Sequence, residues 1–168
     1  GFAMVKYLYE LSYQRVGFIG NPLTSNRSMQ RLYGYEAACR QYGNGQIRRI
    51  SDNKQGPNNS KRGAQEFEAL VAKWPDTDAV FCASDTLALG ALSQAQRMGL
   101  SVPGDIAVAG FGDFEFSDEY GLVLTTVRVP GFQIGEFAAQ LILNRDGVAR
   151  HVPQRIDVGY EIVRRRTA

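Results

Sequence analysis

Residues 78–85 read Asp-Ala-Val-Phe-Cys-Ala-Ser-Asp, and this stretch decides the fold class. The apolar run over 78–82 is typical of a strand that is buried on both faces of a parallel sheet. Ser84 and Asp85 follow directly, and both residue types favour the N-cap of a helix, which we predict over 86–98. A buried strand that leads straight into a helix is half of a β-α-β unit.

The same alternation continues on both sides of this stretch. In the tail, residues 153–165 alternate like two short strands separated by Gly159. Because strands separated by helices form right-handed β-α-β units, we expect an α/β fold, a parallel sheet with helices on both faces. The remaining predicted elements are strands over 15–20, 47–51, 106–110 and 124–129, and helices over 3–12, 27–42, 60–74 and 132–143.

The composition is that of an ordinary globular domain. The chain has 168 residues, of which 44% are hydrophobic and 21% charged, and this excludes a disordered or fibrous protein. The net charge of +2 is too small for a protein that binds nucleic acid over its whole surface. No apolar run is long enough to cross a bilayer and the first residues carry no secretory signal, so we expect a cytoplasmic protein without membrane contact.

Residues with catalytic or metal-binding chemistry are few. Cys39 and Cys82 lie far apart without metal-ligand spacing, and we interpret them as reduced thiols. The single histidine, His151, argues against His-based catalysis and against a histidine metal site. Gly110 and Gly112 match only half of a dinucleotide-binding fingerprint. Without a nucleophile–base pair or a complete phosphate loop, we expect no enzyme, no metal and no cofactor.

Ligands of open parallel sheets bind beyond the carboxyl ends of the strands. Arg27 and Arg31 lie in such a place and share one helical face, where two guanidiniums could hold a carboxylate or a phosphate. The alternative, which is stronger for Arg27, is that the side chains lie along the helix with their heads in water. The loops that follow the predicted strands are 20–31, 51–60, 82–86 and 110–118.

Three other side chains in these loops have two interpretations each. Asp85 is either a helix cap or a ligand group, and Ser84 could present its hydroxyl to a ligand as well as cap the helix. Asp113 is either an acceptor for sugar hydroxyls or a turn-forming residue. The residues by themselves predict a small-molecule site at the sheet edge, but they do not identify a function.

Four motifs, in order along the chain, carry a resemblance to a known family. They are the stretch at 78–85, Val-Pro-Gly-Asp-Ile-Ala-Val-Ala-Gly-Phe at 102–111, Leu-Thr-Thr-Val at 124–127 and, upstream, Tyr-Gln-Arg-Val-Gly-Phe-Ile-Gly at 13–20. Together they resemble the effector-binding domain of the LacI/GalR family of bacterial transcription regulators. The sequence Gly-Phe-Gly-Asp-Phe-Glu at 110–115 is similar to the gluconate-repressor-like branch of that family.

The resemblance implies a periplasmic-binding-protein-like I fold, in which two subdomains enclose a ligand cleft. Family members carry a helix-turn-helix and a first subdomain before the matched region, so we expect this chain to be the C-terminal part of the effector-binding domain. By that alignment, 1–12 is a helix from the end of the first subdomain, 13–128 is the second subdomain, 129–155 crosses to the first and 156–168 returns. The apolar stripe of the crossing helix would need cover from the first subdomain, from another copy or from its own domain.

The same resemblance assigns ligand-binding residues. Arg31 falls on the family's sugar-binding arginine, Arg27 on a polar or charged loop contact, and Asn58 on a position where some members carry an aromatic residue. Ser84 stands where Asn is usual, and Gly112 stands where the family has the first residue of an Asp-Asp pair. Because these two changes remove groups that bond sugar hydroxyls while both arginines remain, the sequence favours an anionic sugar acid over a neutral sugar. The predicted ligand-binding residues are Arg31, Arg27, Ser25, Asn58, Ser84, Asp85 and Asp113.

The function implied by the resemblance is the binding of a small sugar or sugar acid that closes the cleft and changes the affinity of a regulator for operator DNA. We expect a homodimer that contacts DNA only through a helix-turn-helix outside this chain. The alternative is a periplasmic sugar-binding protein of an ABC transporter, which shares the fold but would carry an export signal.

Overall fold

The computed structural model describes residues 1–20, 25–50, 58–117, 123–143 and 155–168, so His151 and parts of the predicted ligand loops lie outside the described residues. The helices are α1 (Phe2–Glu10), α2 (Asn26–Tyr42), α3 (Ser60–Lys73), α4 (Asp85–Arg97) and α5 (Gly131–Leu143). The strands are β1 (Val16–Ile19), β2 (Arg48–Ile50), β3 (Ala79–Cys82), β4 (Ala107–Gly112), β5 (Thr125–Arg128) and β6 (Glu161–Val163). Across the described ranges, no helix combines the length and the apolar character of a membrane span.

The strands form one six-stranded sheet in the order β2-β1-β3-β4-β5-β6. Strands β1 to β5 are parallel, and β6 runs antiparallel to β5 at the edge. In this register, Phe18 on β1 lies opposite Phe81 on β3, which lies opposite Ala109 on β4. The mostly parallel sheet confirms the predicted α/β fold class.

Helices cover both faces of the sheet. On one face, α1 and α2 pack against Phe18 and Phe81. On the other face, α3 and α4 contribute Phe67 and Leu87 to a second buried cluster that includes Val80. Because adjacent residues of a strand point to opposite faces, Val80 and Phe81 are each fully buried, in different clusters. Residues 79–82 are all apolar because the strand is buried on both of its faces.

The helix α1 is part of this same core. Met4, Val5 and Leu8 are fully buried, and the helix packs along α2 and against β3. By the family resemblance, residues 1–12 are expected to be a helix from the end of the first subdomain. In the structure, the apolar side of α1 instead covers part of one face of this sheet, so the helix packs as an element of the unit built around 13–128.

The tail departs from its prediction as two strands. Within residues 155–168, only Glu161–Val163 pairs with the sheet. The backbone N–H of Gly159 donates to the Asp157 carboxylate at 2.9 Å, and Gly159 has a φ of +71°. This turn lies at Gly159, where the sequence separates the two predicted strands, and the described residues 155–158 before it form no strand.

The helix α5 follows β5 and has no buried residue. The side chains of its apolar stripe, Ile134, Phe137, Leu141 and Ile142, are 44%, 39%, 39% and 66% exposed. The apolar stripe of this helix therefore does not fold back on its own domain, which was one of the sequence-based alternatives. Cover for this stripe has to come from outside the residues that the structure describes.

Candidate functional site

A cleft of about 710 Å³ opens at the carboxyl ends of the parallel strands. This volume lies within the range of small-molecule sites. Among the described lining residues none is acidic, whereas two are arginines. The helix α2 contributes Asn26, Arg27, Gln30 and Arg31 to the lining, and the residues just before α3 and α4 contribute Asn58 and Ser84. Strand β4 and the residues after it contribute Phe111, Gly112 and Phe114. The remaining lining residues are Gly1, Val129 before α5, and Ile134 in the first turn of α5.

Arg31 is the most firmly held charged group of the cleft. Its Nη1 donates to the backbone carbonyl of Ala83 at 2.9 Å, and its guanidinium carbon lies 3.9 Å from the centroid of the Phe111 ring. Burial, together with the nearby charge of Arg27, lowers the pKa of Arg31 from its ordinary value, and Asp85 opposes the shift. An arginine remains protonated at neutral pH even so. The cleft thus contains a fixed positive charge whose planar donors suit a carboxylate.

Arg27 is exposed on the first turn of α2, on the same side as Arg31. The residue before this helix, Ser25, is its N-cap: the Ser25 Oγ accepts from the Ser28 backbone N–H at 3.2 Å and lies 3.0 Å from the Ser28 Oγ. Ser25 is not among the described residues that line the cleft. Arg27 therefore supplies the second positive charge, and Ser25 positions the helix that carries it.

Ser84 and Asn58 meet in the cleft wall. The Ser84 Oγ donates to the Asn58 Oδ1 at 3.2 Å and accepts from the Leu87 backbone N–H at 3.3 Å. Ser84, not Asp85, is therefore the N-cap of α4. Both residues line the cleft, as their prediction as ligand-binding residues requires, and both add uncharged polar groups beside the arginines.

The structure places Asp85 beneath the cleft instead of in its wall. Asp85 is fully buried, and its carboxylate accepts from the Thr126 Oγ1 at 2.6 Å, from the Ser117 Oγ at 2.7 Å and from the Phe114 backbone N–H at 3.0 Å. A Cβ at Gly110 would collide with the same carboxylate, so glycine is required where β4 passes it. Asp85 is therefore not the cap of α4, and in the structure its carboxylate is held by these three donors beneath the cleft.

Asp113 is held between two arginines. Its carboxylate accepts from the Arg128 Nε at 2.5 Å and from the Arg165 Nη1 at 2.8 Å, and Arg128 also pairs with Glu161 at 3.0 Å. Burial alone would raise the pKa of Asp113, but the hydrogen bonds from Arg165 and Arg128 hold it below its ordinary value. With a φ of +54°, Asp113 also forms the turn after β4. The structure supports the turn-forming alternative over a sugar-hydroxyl acceptor, since Asp113 is absent from the lining.

Two aromatic residues of the cleft were not identified from the sequence. Phe111 supports the Arg31 guanidinium, and Phe114 is 46% exposed at the cleft. The only sequence feature that marks them is their place, directly after a buried strand at the sheet edge where ligands bind.

The described residues hold no group of three or more His, Cys, Asp or Glu side chains that could bind a metal ion. Cys39 and Cys82 are buried free thiols. Burial raises the pKa of both, so neither is activated as a nucleophile. The described lining of the cleft consists of fixed cations, uncharged polar groups, aromatic rings and other apolar groups.

A parallel sheet with a cation-lined cleft at its carboxyl edge is the architecture of a small-molecule receptor domain. The family model described as a periplasmic binding protein-like domain matches residues 5–168. The chain belongs to this family, in the form that serves as the effector-binding domain of LacI-family transcriptional regulators.

Three similar proteins define the relationship. HTH-type transcriptional repressor PurR of Escherichia fergusonii is 31% identical over 169 aligned residues, which cover 99% of this chain and 48% of that protein. HTH-type transcriptional repressor CytR of Escherichia coli K12 is 36% identical over 148 residues, which cover 86% of this chain and 42% of that protein. The crystal structure of transcription regulator GntR from Chromobacterium violaceum is 33% identical, with a TM-score of 0.84, and the match covers 98% of this chain and 60% of that one.

The chain spans about half the length of the curated relatives that it matches. Those relatives are transcriptional repressors and not enzymes, which confirms the prediction that this chain is not an enzyme.

Proposed function

We propose that this chain is the ligand-sensing part of a bacterial transcription regulator and that its cleft binds a small sugar acid. The observation that carries the proposal is the fixed guanidinium of Arg31, held by the Ala83 carbonyl and the Phe111 ring in a cleft whose described lining contains no acidic side chain. Arg27 adds a second positive charge four residues away. A neutral sugar would gain little from two such charges, whereas a carboxylate gains paired, charge-assisted hydrogen bonds.

The polar groups around the arginines suit the remainder of such a ligand. Asn26, Gln30, Asn58 and Ser84 offer amide and hydroxyl groups that can donate to and accept from sugar hydroxyls. The resemblance of residues 110–115 to the gluconate-repressor-like branch favours an acid derived from a sugar, and the likeness to GntR is in line with that branch. D-Gluconate and D-glucuronate are therefore the first compounds to test, with D-glucose as the uncharged counterpart.

A ligand in this cleft touches the sheet and the crossing segment together. Val129 and Ile134, at and just after the end of β5, line the same cavity as Arg31 and Ser84. A ligand that binds one arrangement of these two walls more tightly than another shifts the population toward it. In the whole regulator this shift would change the relation between subdomains in a homodimer, and with it the affinity of a helix-turn-helix for operator DNA in the cytoplasm.

A thermal-shift screen of the purified protein tests the proposal. Sugar acids should raise the melting temperature in a concentration-dependent manner and D-glucose should not, because a ligand stabilises the state that it binds. Arg31→Ala should abolish the shift. Arg40→Ala is the matched control, an exposed arginine on the same helix that pairs with Glu36 away from the cleft. An unchanged shift in Arg31→Ala, or a shift with D-glucose alone, would overturn the sugar-acid proposal.

The second candidate is a periplasmic sugar-binding protein of an ABC transporter, which the shared fold favours. The two functions differ in what a ligand changes. Footprinting of DNA upstream of the gene with the complete protein decides between them, because a regulator protects a specific site in a ligand-dependent manner and a transport receptor protects none.

A further inference from the structure

The lining of the cleft divides by chemistry into two sides. The polar and charged residues all come from the N-terminal ends of α2, α3 and α4, and they include Arg31, Asn58 and Ser84. Apolar residues line the opposite part, from the end of β4 through the crossing segment. These apolar residues are Phe111, Gly112, Phe114, Val129 and Ile134.

The two aromatic rings on the apolar side are not equivalent. The Phe111 ring is already covered by the Arg31 guanidinium, whose carbon lies 3.9 Å from the ring centroid. Phe114 is 46% exposed and lines the cleft. Its ring packs against the ring of Phe116, with 5.7 Å between the ring centroids and an angle of 52° between the ring planes. Of the two rings, that of Phe114 is therefore the one whose face is accessible to a ligand.

Phe114 is held in place although it is exposed. Its backbone N–H donates to the buried carboxylate of Asp85 at 3.0 Å, and the preceding residue, Asp113, is fixed by Arg128 and Arg165. A ring whose backbone is anchored in this way loses little conformational freedom when a ligand packs on it.

The Phe114 ring packs close to Gly112, where a larger residue would leave less space for it. A Cβ at Gly112 would lie 3.2–3.4 Å from three atoms of that ring, and Gly112 has a φ of +137°, which a side chain rarely adopts. Any larger residue at this position would displace the ring. Gly112 and Phe114 thus together form an exposed apolar surface on this side of the cleft.

We propose that Phe114 is a specificity-determining residue that stacks on the ring of a cyclic sugar acid and selects it over an open-chain acid. The inference rests on the proposed function, and it names the ligand class more narrowly. A pyranose has a polar rim and an apolar face of C–H groups, so its carboxylate can reach Arg31 on the polar side while its face lies on Phe114. An open-chain acid such as D-gluconate offers no rigid face and loses more rotational freedom on binding.

The test is an NMR titration of the whole chain with D-galacturonate and D-glucuronate as cyclic acids and with D-gluconate as the open-chain acid. The wild-type protein should bind the cyclic acids more tightly. Phe114→Ala should weaken their binding about three- to tenfold, the range that an aromatic contact contributes, and should leave the affinity for D-gluconate unchanged. Phe114→Leu keeps apolar area without a flat ring, so it should lose most of the same preference and guards against misfolding of the alanine variant.

Tyr33→Ala is the matched control, since Tyr33 is a similarly exposed aromatic residue, at 51%, and lies outside the cleft. It should change none of the affinities. The inference is overturned if D-gluconate binds the wild-type protein as tightly as the cyclic acids do, or if Phe114→Ala weakens all three acids equally or none. If no sugar acid binds the wild-type protein, or if Arg31→Ala binds them unchanged, the proposed function itself fails and this inference falls with it.

Discussion

The guanidinium carbon of Arg31 lies 3.9 Å from the centroid of the Phe111 ring, where β4 ends at the cleft. The ring therefore orients the planar donors of Arg31, while the Ala83 carbonyl takes one of them. Phe111 and Arg31 are therefore expected to contribute together to ligand affinity, and substitution of each residue measures its own contribution.

Phe111→Leu is expected to weaken sugar-acid binding about two- to fivefold without changing the charge of the cleft. The reason is that leucine keeps apolar volume but removes the cation–π contact, which contributes about 0.5–1 kcal/mol at a partly exposed site. The measurement is an NMR titration with D-glucuronate. Arg31→Lys serves as the comparison, because lysine keeps the charge without the planar fork and should weaken binding further. Wild-type affinity in Phe111→Leu would show that the ring does not orient Arg31.

Asp85→Asn is expected to lower the free energy of unfolding by about 2–4 kcal/mol. The Asp85 carboxylate accepts three hydrogen bonds, and the amide of asparagine cannot accept all of them, so a buried donor is left without an acceptor. Urea denaturation monitored by circular dichroism measures the loss. Asp105→Asn is the control, because Asp105 is exposed and accepts from the Ser101 backbone N–H, which asparagine can also do. Equal stability of Asp85→Asn and wild type would contradict the anchoring role of this carboxylate.

The fold was predictable because its determinants are local. The apolar run at 78–82 and the glycines after helices mark strands and helix ends within a few residues of each other. In the tail, the break at Gly159 and the strand after it follow the prediction, but residues 155–158 form no strand, because alternation alone does not show whether a segment has a strand to pair with. The packing of α1 on this sheet was not predictable, because a sequence does not state against which sheet an amphipathic helix packs.

The site was predictable only in part, because partners distant in sequence decide the role of a side chain. Arg31, Asn58 and Ser84 lie in the cleft, as the loops after the strands suggested. Asp85 was expected to bind ligand, but Thr126, 41 residues away, takes one of its oxygens. The residues around Asp113 do not predict its hydrogen bond with Arg165, because Arg165 lies 52 residues further along the chain.

The hydrogen bonds to Asp113 predict a pH dependence of stability. Because the folded-state pKa of this carboxyl lies below its ordinary value, its ionised form stabilises the fold above pH of about 4. That contribution is lost as the pH falls through the folded pKa. Asp113→Asn should therefore be less stable than wild type by about 1–3 kcal/mol at neutral pH, and the difference should shrink as the pH is lowered below about 4.

Urea unfolding of both proteins at neutral and acidic pH measures this difference. Asp157→Asn is the control, since Asp157 is exposed and its recorded partner is the nearby Gly159 backbone N–H. A difference between Asp113→Asn and wild type that stays constant across the pH range would show that Arg128 and Arg165 do not stabilise the ionised carboxylate.

The exposed apolar stripe of α5 predicts self-association of the chain when it is purified by itself. Large apolar side chains in water are unfavourable by about 25 cal/mol per Å², so the stripe should pack against a second copy. Sedimentation equilibrium should show a concentration-dependent increase in mass. The double substitution Leu141→Glu and Ile142→Glu, at stripe positions that are 39% and 66% exposed, should yield a monomer with unchanged helical circular dichroism. Leu11→Glu, at the residue that follows α1, should associate like wild type. A wild-type chain that stays monomeric at every concentration, with α5 intact, would contradict this prediction.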